Sequence, residues 1–398
     1  MHPTKAYVLF TILWGAGMSA TATTYVPGLL ERGFTLSEVA AVNMFFWLTI
    51  SVMELPTGLL ADGKSRAWSV RIGALFFVAG AISYFHATTF AQAAASESIF
   101  GVGFAFLSGA QQAWLADALK KRGESGQLRR AYGTAAAGRS IAAMVSGVAG
   151  AFIGTYDLRY GWALGGLFHA AAATVAFSAM NGDAGEASAE ERMTEGQAFS
   201  ASLKATRAIP GLLWALVMAT AFGLVLPFNH YWTPFFRERV GQVGLSVVYA
   251  LFHLGLAAGG MAVRRGGLYA DEHRRGVVVA IGLTGAGLAV AGFMPGIALP
   301  FIATLVHELG RGMFDPLMDA YVQQRVGSGY RATYASFQSL IARAGYGVIL
   351  GVVVLSTRGR PSNGTTIGWT WFVAGGLLTA IAFAGWRWRR SAAEVPSS

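Results

Sequence analysis

The residues best suited to chemistry in this sequence are a few acids and arginines that interrupt long apolar stretches. Glu308, Arg311, Asp315 and Asp319 follow one another at intervals of three, four and four residues. This spacing places all four side chains on one face of an α-helix, over about three turns. Charged groups on an apolar helix are costly unless they face a partner or a water-filled space. The pattern therefore predicts either a set of ion pairs or a site that binds protons.

Two interpretations of this face stay open. In the first, Arg311 neutralises Glu308 and Asp315 across neighbouring turns, and Asp319 lies in water near the end of the helix. In the second, one surplus carboxylate binds and releases a proton as its surroundings change. Burial disfavours the charged form of such a group, whereas a nearby arginine favours it.

The same two roles, proton transfer and charge pairing, apply to polar residues elsewhere in apolar stretches. The candidates for proton coupling are Glu54, Glu97, Glu308, Asp315 and Asp319. The candidates for substrate contact or charge pairing are Arg139, Arg311, Arg343, Asn229, His230 and Tyr25. Arg139 and Arg343 either clamp an anionic group or pair with the acids. Glu54 is either a proton site, exposed by a kink at Pro56, or a structural part of the turn that follows.

Composition indicates where these elements lie. The chain has 398 residues, of which 54% are hydrophobic and only 13% are charged. A water-soluble domain carries about 25% charged residues, so soluble domains of this composition would lack polar surface. The mean hydropathy of +0.48 agrees with a chain embedded in a membrane. Because there is no cysteine, the sequence excludes disulfides, cysteine-ligated metals and thiol nucleophiles.

Long apolar runs separated by polar turns predict twelve transmembrane helices. The predicted spans cover residues 6–30, 36–61, 69–88, 91–117, 131–155, 159–180, 210–233, 244–265, 276–294, 297–324, 330–357 and 366–388. One long polar interval, 181–209, is predicted to be a cytoplasmic central loop. It divides the chain into an N-terminal six-helix bundle at 1–180 and a C-terminal six-helix bundle at 210–398. We therefore expect an all-α membrane protein with two pseudo-symmetric bundles.

The lysines and arginines indicate the orientation. If the N-terminus is cytoplasmic, 21 of the 30 basic residues fall on the cytoplasmic side and six on the outer side, and Arg139, Arg311 and Arg343 lie within the membrane. This bias follows the positive-inside rule, so both termini are predicted to be cytoplasmic. The rule also accounts for the net charge of +10 without a nucleic-acid partner.

The two halves resemble each other weakly. A Gly-x-Gly motif occurs in the fourth and tenth spans, at 101–103 and 310–312. A Gly-x-x-x-Gly motif occurs in the fifth and eleventh, at 150–154 and 347–351. Glycines at such spacing allow helices to pack closely in lipid. Duplicated six-helix bundles around a site at mid-membrane are typical of transporters.

The turn between the second and third spans, residues 58–66, resembles motif A of the major facilitator superfamily, in which a glycine precedes an aspartate and a basic cluster. The positions that match this cytoplasmic gate motif are Gly58, Asp62 and Arg66. The basic cluster is thinned, with Gly63 and Ser65 at two of its positions. The resemblance implies that Asp62 forms a charge-paired latch between the bundles, and a solvated loop aspartate is the alternative. Segment 108–117, at the end of the fourth span, is also similar to this family.

The family resemblance implies a secondary active transporter that works by alternating access, with no catalytic residues, metal or cofactor. The fifth span keeps part of an antiporter signature at 150–155, from which the proline is missing. This partial signature is similar to bacterial drug and metabolite efflux members, so we expect proton-coupled efflux of a small amphiphilic drug or metabolite. The alternative is a symporter for proton-coupled uptake of an organic anion or nutrient, with Arg139 and Arg343 binding the substrate.

An intramembrane enzyme and a channel are less consistent with the sequence. His307-Glu308 begins like a zinc-protease helix, but Arg311 stands where that motif requires its second histidine. The sequence contains no nucleophile elbow and no phosphate-binding loop. A continuous pore would not explain the duplicated halves. We expect a monomer in the inner (plasma) membrane whose partners are a small-molecule substrate, protons and the lipid bilayer, with no nucleic acid.

Overall fold

The computed structural model describes residues 1–63, 65–181, 195–209, 211–265, 273–326 and 331–388, with the backbone alone at 55, 58–63, 195–199, 331–333 and 335–336. The described residues form fifteen α-helices and contain no strand, which confirms the predicted all-α fold class. The helices are α1 (Pro3–Ala20), α2 (Tyr25–Glu31), α3 (Leu36–Gly63), α4 (Arg66–His86), α5 (Phe90–Leu107), α6 (Ala110–Lys121), α7 (Leu128–Ile153), α8 (Tyr160–Ala179), α9 (Glu195–Ala208), α10 (Leu212–Ala221), α11 (Leu226–Arg264), α12 (His273–Phe293), α13 (Ala298–Gln323), α14 (Arg331–Thr357) and α15 (Gly364–Arg387).

Twelve membrane crossings follow from these helices. Within the described residues, ten segments are long and apolar enough to span a membrane. One of them, Leu212–Arg264, runs for 53 residues and contains two crossings, because the backbone leaves the helical region at Gly241 with a φ of 70°. α13 adds a further crossing, although its four charged residues keep it out of that set of ten. Most predicted spans coincide with a crossing to within a few residues. The seventh crossing extends beyond its predicted end at 233, towards Gly241.

Contacts divide the chain into two units. The first comprises Met1–Ala189 with Phe236–Ala250, and the second comprises Glu190–Phe235 with Leu251–Ser398. The segment around Gly241 is part of the first unit, and its side chains bond to other helices of that unit. For example, Nε2 of Gln242 donates a 3.1 Å hydrogen bond to the carbonyl oxygen of Thr23. The division into bundles at 1–180 and 210–398 stays a prediction.

The polar interval predicted as a loop contains a helix, α9. Its residues Ser202 and Thr206 are buried. The hydroxyl of Thr206 donates a 2.8 Å hydrogen bond to the carbonyl oxygen of Ser202 and lies 3.3 Å from the hydroxyl of Tyr334 on α14. The apolar-run criterion misses this helix because a helix that lies on a bundle needs only one face that packs.

Glycines allow the closest helix contacts inside each unit. A side chain at Gly150 on α7 would lie 2.1 Å from the carbonyl oxygen of Ala20 on α1. In the second unit, a side chain at Gly368 on α15 would lie 2.5 Å from the carbonyl oxygen of Gly292 on α12. Because apolar side chains gain little by leaving lipid for a helix interface, such backbone approach supplies much of the packing energy.

The glycines of the Gly-x-Gly repeat do not occupy equivalent positions. Gly101 packs against α3 and Gly103 against α4, the second and third spans of the first half. Gly310 packs against α12 and Gly312 against α11, the third and second spans of the second half. The two motifs therefore contact their neighbouring helices in opposite order.

Candidate functional site

The charged face of α13 contains one closed ion pair. Glu308 is 4% exposed, and its Oε1 accepts a 2.7 Å hydrogen bond from Nη1 of Arg311. The guanidinium carbon of Arg311 also lies 6.0 Å from the centre of the Phe228 ring on α11. Removing the arginine would leave a buried carboxylate uncompensated, which is strongly destabilising. Arg311 is therefore committed to Glu308.

Asp315 and Asp319 lie further along the same face and differ from Glu308 in exposure. Both side chains are exposed, and in the described part of the chain neither forms an ion pair. The positive charge of Arg311 acts on Asp315, and the negative charge of Asp315 acts on Asp319. Because Glu308 already takes the positive charge of Arg311, this face of α13 has a surplus of negative charge.

α14 brings a tyrosine and a second arginine to these aspartates. The hydroxyl of Tyr346 lies within electrostatic range of both Asp315 and Arg343. A phenol hydroxyl both donates and accepts hydrogen bonds, so Tyr346 is able to relay a proton or hold a polar group of a substrate. Tyr346 was not among the predicted site residues. The signal that was available is its position three residues after Arg343, on the same helix face.

The two polar residues on α11 differ in their surroundings. Asn229 is exposed, whereas His230 is 8% exposed. Nε2 of His230 has no hydrogen-bond partner among the residues that the structure describes. By contrast, Nδ1 of His307 lies 2.8 Å from the carbonyl oxygen of Thr284, so His307 has a structural role. Asn229 and His230 stay candidates for substrate contact.

In the first unit, Glu97 lies at the centre of a buried polar cluster. It is 6% exposed, and its Oε1 accepts a 2.6 Å hydrogen bond from the hydroxyl of Tyr25. The hydroxyl of Tyr84 lies 3.3 Å from that of Tyr25, and the Tyr84 ring stacks on Trp162 with 4.1 Å between centres. Asn43 and Tyr84 also lie near the carboxyl group. Among the described residues, Glu97 is thus solvated by neutral groups rather than by a cation.

The structure brings together two predicted site residues, Glu97 and Tyr25, with two that were not predicted, Tyr84 and Asn43. An acid in an apolar helix requires polar partners from neighbouring helices. The tertiary structure determines which helices are neighbours. The spacing of residues along one helix therefore could not identify these partners.

The side chain of Arg139, on α7, packs against α1. It is exposed, and a side chain at Gly15 would lie 2.3 Å from its Cγ. The glycine therefore makes room for the aliphatic part of the arginine. Its charge also acts on the hydroxyl of Tyr7. No ion pair between Arg139 and an acid is present in the described ranges, so its predicted role in binding an anion stays open.

The gate motif is described only in part. Gly58 and Asp62 lie in the last turns of α3, where side chains are outside the described residues, so the latch expected at Asp62 is not described. Arg66 begins α4 directly after the N-cap residue Ser65. Its Nη1 forms an ion pair with Oδ2 of Asp117 on α6, and this pair joins two helices of the first unit. Asp117 was not among the predicted site residues, although it closes segment 108–117.

Glu54 lies in the middle of α3 and is partly buried. The helix continues through Pro56, which has no N–H to donate. The hydroxyl of Thr57 donates a 2.8 Å hydrogen bond to the carbonyl oxygen of Met53 and lies 3.3 Å from that of Glu54. The carbonyl that loses its usual donor at Pro56 is that of Val52, so the hydroxyl of Thr57 does not replace the missing bond. Both interpretations of Glu54 stay open.

The site as a whole is suited to binding protons and polar groups inside apolar helices. Across the described ranges, no three histidine, aspartate or glutamate side chains are grouped closely enough to hold a metal ion. A chain with twelve apolar crossings and a few charges buried between them is a multi-pass membrane protein of the transporter class.

Sequence comparison then gives the family. The family model of the Major Facilitator Superfamily matches residues 7–352. The chain therefore belongs to this superfamily, and it is a transporter rather than an enzyme. No curated protein sequence matches it significantly.

Solved transporters share the fold. The nucleoside transporter NupG aligns with a TM-score of 0.78 and 15% identity, over 97% of this chain and 99% of its own. The POT family transporter PepTSo aligns with a TM-score of 0.72 and 10% identity, over 97% of each chain. The peptide transporter POT in complex with sulfate aligns with a TM-score of 0.69 and 14% identity, over 98% of this chain and 96% of its own. At such identities the likeness establishes the fold alone.

Proposed function

We propose that this protein is a proton-coupled secondary transporter of the inner membrane that exports a small amphiphilic drug or metabolite. Two six-helix bundles would rock to expose the substrate to each side in turn, with both termini in the cytoplasm. The observation that carries the proposal is the charge balance on α13. Glu308 holds the one arginine of that face, and Asp315 and Asp319 are left exposed beside the closed pair.

Asp315 is the acid best placed to carry the proton. The charge of Arg311, on the same helix, acts on Asp315. Asp315 also interacts electrostatically with Tyr346, as does Arg343. When water reaches Asp315, the charged form is favoured. When the site closes and water leaves, the carboxylate either pairs with an arginine or takes up a proton. A substrate that binds one of these two states more tightly shifts the balance between them, and this difference couples the two movements.

Glu97 is a second proton site in this proposal. A carboxylate only accepts hydrogen bonds, whereas a carboxylic acid also donates one. Protonation of Glu97 would therefore change its bond with Tyr25 and the contact between α2 and α5. Asp315 takes the leading role because it is exposed, whereas Glu97 is buried behind its two tyrosines.

The proposal of export rather than uptake rests on the partial antiporter signature at 150–155. Proton-coupled uptake of an organic anion or nutrient is the second candidate, and the exposed position of Arg139 favours it. The names of NupG and POT refer to nucleosides and peptides. Both kinds of solute therefore belong in a ligand panel, together with organic anions and amphiphilic cations.

The first experiment identifies a ligand by thermal shift of the purified protein, because a ligand that binds only the folded state raises its apparent stability. That ligand is then followed in proteoliposomes with and without an imposed pH gradient. We expect the gradient to accelerate transport by the wild type and to leave Asp315→Asn unchanged. Asp157→Asn, between α7 and α8, is the control for loss of one acid. Transport that ignores the gradient in every variant would refute proton coupling.

A second experiment separates export of an amphiphile from uptake of an anion. If Arg139 and Arg343 bind an anionic substrate, Arg139→Ala and Arg343→Ala should each weaken binding of that ligand by about tenfold or more, the loss expected for one charge-assisted hydrogen bond. Binding of a neutral or cationic ligand should change little. Unchanged affinity for the anion in both variants would exclude the uptake mechanism that depends on these arginines.

A further inference from the structure

We infer that the adjoining ends of α12 and α15 form a binding site for the phosphate headgroup of an anionic phospholipid. A cleft of about 220 Å³ opens there, lined by Arg274, Arg275, Val278 and Trp386. It lies entirely within the second unit. None of its residues belongs to the charged face of α13 or to the other positions proposed for transport.

Arg274 is held in place by the main chain of α15 and by an aromatic ring. Its Nη2 donates a 2.5 Å hydrogen bond to the carbonyl oxygen of Trp388. Its guanidinium carbon lies 5.2 Å from the centre of the Trp214 ring, and Nε1 of that buried tryptophan donates to the carbonyl oxygen of Gly385. A side chain that is already oriented loses little conformational freedom when it binds a ligand.

Arg275 supplies the second positive charge. Its guanidinium carbon lies 5.7 Å from the centre of the Trp386 ring, so stacking on the indole orients it at the edge of the cleft. A guanidinium presents five N–H donors in a planar fork, and this geometry matches the oxygens of a phosphate group. Two adjacent, positioned arginines therefore suit an anionic phosphate group, whose two non-bridging oxygens accept these bonds.

The position of the cleft favours a lipid over a soluble anion. Trp386 and Trp388, at the end of α15, are 50% and 43% exposed, and tryptophans at the ends of spans mark the boundary between membrane and water. Trp386 also shares a helix face with Phe383 and Phe372, which are exposed too. The polar cleft thus continues into an apolar track along α15 that fits an acyl chain, which a free phosphate would not use.

The surrounding charge agrees with an anionic headgroup. In the sequence near these two helix ends, arginines outnumber acids, with arginines at 264, 265, 274, 275, 387, 389 and 390 and acids at 271 and 272. The predicted orientation places this end in the cytoplasmic leaflet, where anionic lipids attract basic residues next to the membrane. The proposed occupant is a phospholipid with a net negative headgroup, with phosphatidylglycerol as the probe.

The test measures the thermal unfolding of detergent-solubilised protein while phosphatidylglycerol, phosphatidylcholine or inorganic phosphate is titrated. Arg275→Gln removes one charge of the cleft, and Arg358→Gln, just after α14, removes an exposed charge at the other end of α15. We expect phosphatidylglycerol to stabilise the wild type and Arg358→Gln with a saturating shift. Arg275→Gln should need about fivefold more of this lipid for the same shift.

Three outcomes would overturn the assignment. These are an equal shift with phosphatidylcholine, an equal response of Arg275→Gln and the wild type, and full reproduction of the shift by inorganic phosphate alone. The last would mark a site for a soluble anion. Native mass spectrometry of retained lipid gives a second readout, in which the wild type should keep a phosphatidylglycerol adduct that Arg275→Gln loses. Both readouts measure lipid binding without transport, so their results do not depend on whether transport is coupled to protons.

Discussion

The hydroxyl of Tyr25 donates a 2.6 Å hydrogen bond to Oε1 of Glu97 and so joins the short helix α2 to α5. α1 and α2 are separated by a break at residues 21–24 within the first span. The bond therefore fixes the position of the chain beyond that break. Since Glu97 is buried, water cannot readily replace a donor that is removed.

Tyr25→Phe is expected to lower the free energy of unfolding by about 1 kcal/mol, the usual size of a hydrogen bond between membrane helices. Tyr156→Phe, at a position that is 85% exposed, is the matched control and should leave stability unchanged. Thermal unfolding in detergent measures both. The double variant Tyr25→Phe/Glu97→Gln should lose less than the sum of its single changes. Equal unfolding temperatures for Tyr25→Phe and Tyr156→Phe would show that the bond contributes nothing.

Gly312→Ala should be among the more damaging small substitutions in the second unit. A side chain at Gly312 would lie 1.9 Å from the carbonyl oxygen of Leu256 on α11, which is a backbone atom and cannot rotate away. We expect α13 and α11 to separate, at a cost of about 1–3 kcal/mol or more, with a lower unfolding temperature.

The control for this substitution is Gly351→Ala on α14, where, apart from the backbone of its own helix, no atom of the described residues lies within 4 Å of the added carbon. Alanine is favoured over glycine inside a helix by about 0.5–1 kcal/mol, so this variant should be as stable as the wild type or slightly more so. Identical unfolding temperatures for the two variants would contradict the close contact between α13 and α11.

Glu124, in the turn between α6 and α7, should give the protein a component of stability that depends on pH. Its Oε2 lies 2.8 Å from Nε2 of His2. This hydrogen bond, followed by the charge of Arg122, holds the pKa of Glu124 below its ordinary value of 4.5. A carboxyl pKa that is lower in the folded state stabilises the protein above the unfolded-state value, and this stability is lost as the pH falls through the folded-state pKa.

Glu124→Gln is therefore expected to unfold at a lower temperature than the wild type at neutral pH. The difference should shrink once the pH falls below 4.5, the ordinary pKa of this group. Thermal unfolding across a pH series measures it. A difference that stays constant into the acid range would mean that the carboxylate charge is not what stabilises this turn.

The features that the sequence predicts correctly are those set by local spacing. Apolar runs of membrane length predict the crossings because the bilayer thickness fixes how long each run must be. The pair of Glu308 and Arg311 is foreseeable because residues three apart meet on one helix face. α9 escapes the same criterion because it does not have to cross the membrane.

Features that depend on which helices are neighbours could not be predicted in this way. Tyr25 and Glu97 are separated by 72 positions in the sequence, and Arg66 and Asp117 by 51. The matching glycine motifs in the two halves also did not predict equivalent contacts. A glycine motif indicates that another helix can pack closely there, but it does not identify which helix that is.

Proton movement through Asp315 is central to the proposed mechanism, and the most direct measurement follows the internal pH of proteoliposomes with trapped pyranine. The ligand found by thermal shift is added outside, with equal pH on both sides. Ligand entry through the wild type should make the interior more alkaline if protons move in exchange, or more acidic if they move together. Asp315→Asn should show no pH change while it still exchanges labelled for unlabelled ligand. Ligand entry through the wild type at constant internal pH, or an unaltered pH change in Asp315→Asn, would contradict the mechanism.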